Sequence, residues 1–340
     1  MNTIAVTGAA GVVGSVLVEH LSRAGHRVAA IDHRAPPQAL ASWWQEVQSE
    51  GGALVTPIEA DIRDASALTQ IFGDTKVGGV IHMAAVTAGP ERESHDPESI
   101  VDINVGGTLA VARAMRANGI QRLVHVSSNA VYGPVVYETD LIDEDKTVPR
   151  PAALYGVTKL AGEGLIRRLG DLWSMNVTIA RLSSVFGPWE HATGVRDTLN
   201  PIFQATVAAL SDRPARFTRP CRRDWIYNRD VADALVRLLS AETLKHPIYH
   251  VGPGPDAVWS VEDWCVLLAG RYPSFVHGLV DEPGAATINL HELADRAPMS
   301  TTRLVADTGF QPSYTPELAF ADMMAWVEKF PAFLHVPTEK

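Results

Sequence analysis

Cysteine is scarce in this chain: Cys221 and Cys265 are the only two in 340 residues, far apart and outside any CxxC or histidine-rich setting. That count supports neither a disulfide framework nor a zinc site, and it fits a reducing compartment. Basic charge is also short, with 29 Lys and Arg against 39 Asp and Glu and a formal net charge of −10. Such a balance argues against a nucleic-acid partner. No apolar run reaches the length of a membrane span. The opening MNTIAVTGAAG lacks a basic region followed by an apolar segment and cleavage site. The expectation is a soluble, cytoplasmic protein with no membrane partner and no metal. What is present, 46% hydrophobic and 20% charged residues, is the composition of an ordinary globular protein with ample core.

Thr3–Thr7 reads as a short buried strand, followed by Gly8-Ala-Ala-Gly11-Val12-Val13-Gly14 and an amphipathic helix to about Ala24. Strand, glycine turn and helix open a dinucleotide fold. Glycines let the backbone turn tightly and approach a pyrophosphate held at the helix N-terminus. An acid ends the next strand: Asp32 lies 18 residues after Gly14. A carboxylate there accepts hydrogen bonds from adenosine ribose hydroxyls and repels a 2′-phosphate, which points to NAD as cofactor. Arg34, two residues on, leaves NADP open. Strands and helices then alternate through Ala53–Ile58, Gly79–Ile81 with His82–Ala85, a helix over about 97–118, and Leu123–Val126 running into Ser127-Ser128-Asn129. Units of this length predict an α/β fold, a Rossmann-type doubly wound parallel sheet with ligands at the strand C-terminal ends. The interruption at Ala35–Gly52, with Trp43 and Trp44, is expected to be an extra surface helix.

Tyr155-Gly-Val-Thr-Lys159 places a phenol and an ammonium on one helix face, one turn apart. A free tyrosine, with a pKa of about 10, is a poor acid or base at neutral pH. A neighbouring cation favours the phenolate, so Lys159 is expected to pull the Tyr155 pKa down. A tyrosine tuned in this way can exchange a proton with a secondary alcohol while a nicotinamide exchanges the hydride.

With these residues assembled, the chain resembles the extended short-chain dehydrogenase/reductases, the group that contains nucleotide-sugar epimerases and dehydratases. The resemblance runs through TGAAGVVG, ADIRD, HMAA, NVGGT, VSSNAVYG, YGVTK and RRDWIYNRDVADAL, in family order and spacing. It implies that Asp61 and Ile62 hold the adenine, that Ala84, Ala85 and Val126 line the cofactor site, and that Asn104 supports the active-site helix beside the cofactor. It also implies that Ser128 bonds the reacting oxygen, that Tyr155 is the acid/base, and that Lys159 holds the nicotinamide ribose. His82 is expected to cap its strand. Strand alternation sends Ser127 to the opposite face from Ser128, which favours Ser128.

After Val177–Arg181 the alternation fades. An NAD-binding domain over residues 1–180, with 225–252 returning to it, is expected to interleave with a smaller C-terminal substrate portion over 181–224 and 253–340. A final helix over about 316–330 is expected to bury Leu318, Met323, Met324, Trp326 and Val327. Arg213, Arg216, Arg219, Arg222 and Arg223 fall within eleven residues, a group suited to phosphate or carboxylate. The resemblance singles out Arg223 for a nucleotide diphosphate; the other four are expected to be a solvated face. Thr87, Ser128, Asn129, Ser184, His191 and Arg223 are the candidate substrate contacts. Ser184 stands where many relatives carry an asparagine that reaches the substrate phosphate. Asn129-Ala130 stands where sugar dehydratases carry an Asp-Glu pair, and eliminating water needs such an extra acid and base.

The reading is therefore reversible hydride transfer at a secondary alcohol of a sugar-type or anionic substrate. The leading form is a nucleotide-sugar epimerase. The alternatives are an NAD dehydrogenase of a small sugar, polyol or hydroxy acid, and a non-catalytic NAD-binding scaffold. The helices over 97–118 and 153–170 carry apolar residues on more than one face, and relatives pair through these two helices, so a homodimer is expected.

Overall fold

The computed structural model describes residues 3–191, 196–197, 199–292 and 294–334. Six early strands follow the glycine-punctuated pattern: β1 (Thr3–Thr7), β2 (Val28–Asp32), β3 (Val55–Glu59), β4 (Val77–His82), β5 (Arg122–Ser128) and β6 (Asn176–Leu182). They form a seven-stranded sheet with Ile248–Val251, which joins the edge beside β6; across the sheet the order is Ile248–Val251, β6, β5, β4, β1, β2, β3. Every pairing in it is parallel. The order reverses between β1 and β4, and a ligand crevice opens where such a reversal occurs.

Both faces of the sheet are covered. Val6, Ile81, Val124 and Ala180 pack under the helices Gly14–Arg23 and Asn228–Ser240. Ala5, Val80, Leu123 and Ile179 pack under Ala65–Asp74, Gly107–Ala117 and Leu154–Trp173. Each Val, Leu and Ile among them contributes about 1.5–3 kcal/mol on burial, the alanines less. The expected extra helix is Gln38–Ser49, fixed to its neighbour by Trp44 Nε1, which donates to the Ser15 carbonyl (3.2 Å), and Trp43 Nε1, which donates to Glu19 (3.0 Å).

Two expectations need correction. The helix read over 97–118 is continuous but not uniform: Pro97–Val101 and Gly107–Ala117 are α-helical, and Asp102–Gly106 between them is a π turn. Leu318 is not core. It is 54% exposed on the helix Pro316–Lys329, whose Met323, Met324, Trp326 and Val327 are buried.

Among the described residues, the rest of the C-terminal half consists of three small two-stranded sheets and short helices beyond the strand ends. Ser184–Phe186 pairs with Trp225–Tyr227, Arg222–Arg223 with Trp259–Ser260, and Ala215–Phe217 with His277–Leu279. Residues 335–340, at the end of the expected substrate portion, lie outside the described residues. No helix among the described residues is long and apolar enough to cross a membrane.

Candidate active site

A cleft of about 710 Å³ runs along the C-terminal ends of the strands, from Asp32 past Tyr155 to Arg223. Its floor is the first turn. Gly8 has a positive φ of +73°, and a methyl group on it would lie 2.9 Å from the Ala84 nitrogen. A methyl on Gly14 would lie 2.1 Å from the Gly8 carbonyl oxygen. These two positions therefore require glycine, while Gly11 is less tight, with its nearest neighbour at 3.3 Å. The helix that begins at Gly14 has no side-chain cap, and Gly11, Val12, Val13 and Gly14 line the cleft at its N-terminal end.

Asp32 ends β2 at the cleft rim, where it accepts the Ala10 N–H at 3.0 Å and the His33 N–H at 2.8 Å. Its neighbour Arg34 lines the same rim. Asp61 is paired with Arg63 at 2.6 Å, and that guanidinium holds its carboxyl below the usual range. Ile62 fills the space beside Gly107 and lines the cleft with Asp61, Ala84, Ala85 and Val126. The residues present fit a dinucleotide: a cradle that a Cβ would fill, an open helix N-terminus and a fixed acid at the next strand end.

Asn104 supports the active-site helix as expected, but from behind the cleft and not beside the cofactor. It is buried behind the site, where its Nδ2 donates to the Val86 carbonyl (3.1 Å) and Thr158 Oγ1 (3.0 Å) and its Oδ1 accepts the Val86 N–H (2.8 Å). The π turn around it aims the amide at the loop after β4 and at the helix Leu154–Trp173 at once. His82 is equally structural. It lies between Thr7 Oγ1 (2.7 Å) and Thr108 Oγ1 (3.0 Å), and burial drives its pKa down to about 3.

Tyr155 and Lys159 open the helix Leu154–Trp173 and both line the cleft. Gly156 lets this helix sit directly against the turn after Ser128; sequence reasoning missed it, although its place beside Tyr155 was a signal. The Tyr155 phenol lines the cleft together with Ser128 and Thr87. The acidity of that phenol differs from expectation. Burial raises its pKa, and the groups that oppose burial are Ser128, Thr87 and the Arg196 charge. The Lys159 ammonium is turned to the Val126 carbonyl, to which it donates at 2.5 Å. Burial lowers the Lys159 pKa to about 8. Ser127, by contrast, is committed to Glu163 at 2.5 Å on the other face of β5.

At the far end of the cleft, Arg223 is buried. It donates to the Leu290 carbonyl at 3.0 Å, pairs with Glu292 at 3.1 Å and lies over the Trp225 ring. Arg296 joins it, donating to Ser184 Oγ at 2.6 Å and pairing with Glu292 at 3.2 Å. Arg213, Arg216 and Arg222 are exposed, as the solvated-face reading expects, but Arg219 departs from it: its side chain is only 16% exposed and pairs with Asp295. Arg196 and Arg296 were missed, because each reaches the cleft from a loop remote in sequence from every motif. Asn129 and His191 also line the cleft, His191 with its Nδ1 3.0 Å from the Trp189 carbonyl oxygen. No group of three or more His, Cys, Asp or Glu among the described residues is placed to hold a metal ion.

The glycine cradle, the rim acid and the paired tyrosine and lysine share one crevice, and the profile of the NAD dependent epimerase/dehydratase family matches residues 4–252. The chain belongs to that family. A UDP-glucose 4-epimerase of Mycolicibacterium smegmatis is 30% identical over 328 residues, covering 96% of this chain and 97% of the relative. A dTDP-L-rhamnose 4-epimerase of Burkholderia thailandensis is 25% identical, covering 95% and 94%. Among solved structures, the Thermotoga maritima UDP-glucose 4-epimerase with UDP-glucose superposes with a TM-score of 0.77 at 21% identity, covering 97% of this chain and 100% of that one. The Bacillus cereus UDP-glucuronic acid 4-epimerase, in complex with UDP-glucuronic acid and NAD, gives 0.75 at 22% identity, covering 96% and 99%. At those identities the two structures establish the Rossmann-type fold of this family member.

Proposed function

We propose that this family member is an NAD-dependent nucleotide-sugar epimerase that oxidises and re-reduces one secondary alcohol. The observation that carries the reading is the continuity of the cleft. One crevice joins the glycine turn and Asp32, the Tyr155 hydroxyl, and an anion-binding end built from Arg223, Arg296 and Ser184. A small polyol would leave that arginine end without a partner; a nucleoside diphosphate sugar fills it. Glu292 keeps the two guanidiniums from repelling each other and leaves a net positive charge for the diphosphate.

Gly8, Gly11, Val12, Val13 and Gly14 would cradle the NAD pyrophosphate, Asp32 would hold its adenosine ribose, and Lys159 would hold the nicotinamide ribose. NAD, when bound there, supplies the hydride acceptor. Ser128 and Thr87 orient the Tyr155 hydroxyl toward the substrate alcohol. Tyr155 exchanges the proton, with Arg196 and the two hydroxyls favouring the phenolate against burial. The two helices Pro97–Val101 and Leu154–Trp173 leave Val101 and Val157 each 43% exposed, which supports pairing of two copies through this face.

A UDP-sugar panel at catalytic enzyme concentration tests the reading. An epimer produced from one UDP-sugar without net NADH is the expected result. Steady NADH release from a free sugar or hydroxy acid, with no epimer from any UDP-sugar, rejects it in favour of a dehydrogenase.

A further inference from the structure

Beneath the cleft lies a polar core that the reaction does not touch. Glu163, one turn beyond Lys159 on the same helix, is buried with Arg181 of β6, their side chains 3% and 4% exposed. Arg181 donates to both carboxylate oxygens, Nε to Oε1 at 2.9 Å and Nη2 to Oε2 at 2.6 Å. Ser127, the neighbour of Ser128, donates to Glu163 Oε1 at 2.5 Å. The line continues outward: Arg181 Nη1 donates to the Tyr132 hydroxyl at 2.7 Å, and that hydroxyl lies 2.6 Å from His250 Nε2.

The surroundings of Lys159 give this core a chemical consequence. The elements packed around the ammonium present His82 from β4 and His125 from β5, both buried and both held neutral. Its own helix presents Tyr155 and Glu163, and Arg181 reaches the far side of Glu163 from β6. Glu163 is the acid one turn from Lys159, and the two side chains reach adjacent residues of β5, Glu163 at Ser127 and Lys159 at Val126. A buried ammonium loses its proton unless an anion offsets desolvation.

We propose that Glu163 is a positioning residue that acts through Lys159: it keeps the buried Lys159 side chain an ammonium at neutral pH, and through Ser127 it fixes the end of β5 that presents Ser128. Arg181 holds the carboxylate in place and draws part of its field away from Lys159. The inference rests on the proposed reaction for its link to turnover, but its electrostatic claim stands apart from any substrate.

The test is carbon NMR of full-length protein with ¹³C-labelled lysine, the Lys159 signal assigned from Lys159→Arg. The expected result is titration of Lys159 near 8 in the parent chain and at least one unit lower in Glu163→Gln. In Arg181→Met the midpoint moves up, the opposite direction, which general loosening of the fold would not produce. A one-unit fall corresponds to up to about a tenfold change in the charged fraction. Turnover of the UDP-sugar by Glu163→Gln should accordingly fall about fivefold or more at pH 8, where the charged fraction drops from about one half to about one tenth, and recover toward pH 6.5. If Glu163→Gln does not fold, Glu163→Asp carries the test, with a smaller fall because the charge is withdrawn by one methylene. An unchanged Lys159 midpoint in a folded Glu163 variant overturns the inference, even where turnover is reduced equally at every pH. A shifted midpoint in a protein that turns over no UDP-sugar upholds the electrostatic claim and rejects the proposed reaction instead.

Discussion

Gly156 lies so close to Ala130 that a methyl group on its Cα would fall 2.4 Å from the Ala130 carbonyl oxygen. The helix that carries Tyr155 thereby rests on the turn that carries Ser128, and one hydrogen atom sets their separation. Gly156→Ala should push the two elements apart, costing about 1–3 kcal/mol of stability and more than tenfold in turnover. Urea melts and steady-state kinetics on the same preparation check it; wild-type values in both would show that the contact relaxes freely.

Removing the phenol should separate chemistry from binding. Tyr155→Phe is expected to bind NAD within about twofold of the parent yet lose about 10²–10⁴ in turnover, the range for a positioned acid/base. Calorimetry and product assays decide it. Undiminished turnover removes Tyr155 from the mechanism.

The buried ion pair should be costly to break. Arg181→Met strands the Glu163 carboxylate without its bidentate partner, and such a loss costs about 3–5 kcal/mol. The midpoint of urea denaturation should fall accordingly. A loss below about 1 kcal/mol would mean that Glu163 is neutralised or reaches water.

Acid should unfold the protein through its buried histidines. His82 and His250 both have pKa values lowered to about 3 from 6.5. Between those values the unfolded chain binds protons that the native state refuses, so stability is full above pH 6.5 and falls as pH drops toward 3. Each group contributes a slope of up to about 1.4 kcal/mol per pH unit. His82→Gln should reduce that slope by about one proton between pH 6 and 4, measured from stability at several pH values. An unchanged slope would mean that His82 titrates normally.

Association is expected through the exposed apolar strip. Light scattering at micromolar concentration should give twice the chain mass, and Val157→Asp should halve it by placing charge in an apolar contact. A parent chain that runs as a monomer refutes the pairing.

The motif end of the cleft was legible in the sequence because its parts are local. Gly8 and Gly14 sit in a turn whose geometry excludes a side chain. Asp32 ends a strand of fixed length. Tyr155 and Lys159 share a face by helical period alone. Leu318 and Asn104 show where local pattern stops: periodicity cannot say which apolar residue of a short helix meets the core, or whether an amide faces a ligand or a neighbouring loop.

Acidity was decided by tertiary structure. Four residues of spacing put Lys159 near Tyr155, but burial raised the phenol, and the groups left to oppose it were Ser128, Thr87 and, from a distant loop, Arg196. The same holds for Arg296 and Glu163, whose charges act across contacts between segments remote in sequence. Chain order sets the backbone and the faces it offers, because those depend on neighbours a few residues away. Desolvation and electric fields act through space, so the charges that tune this cleft existed as a site only once the sheet had closed and its helices had packed.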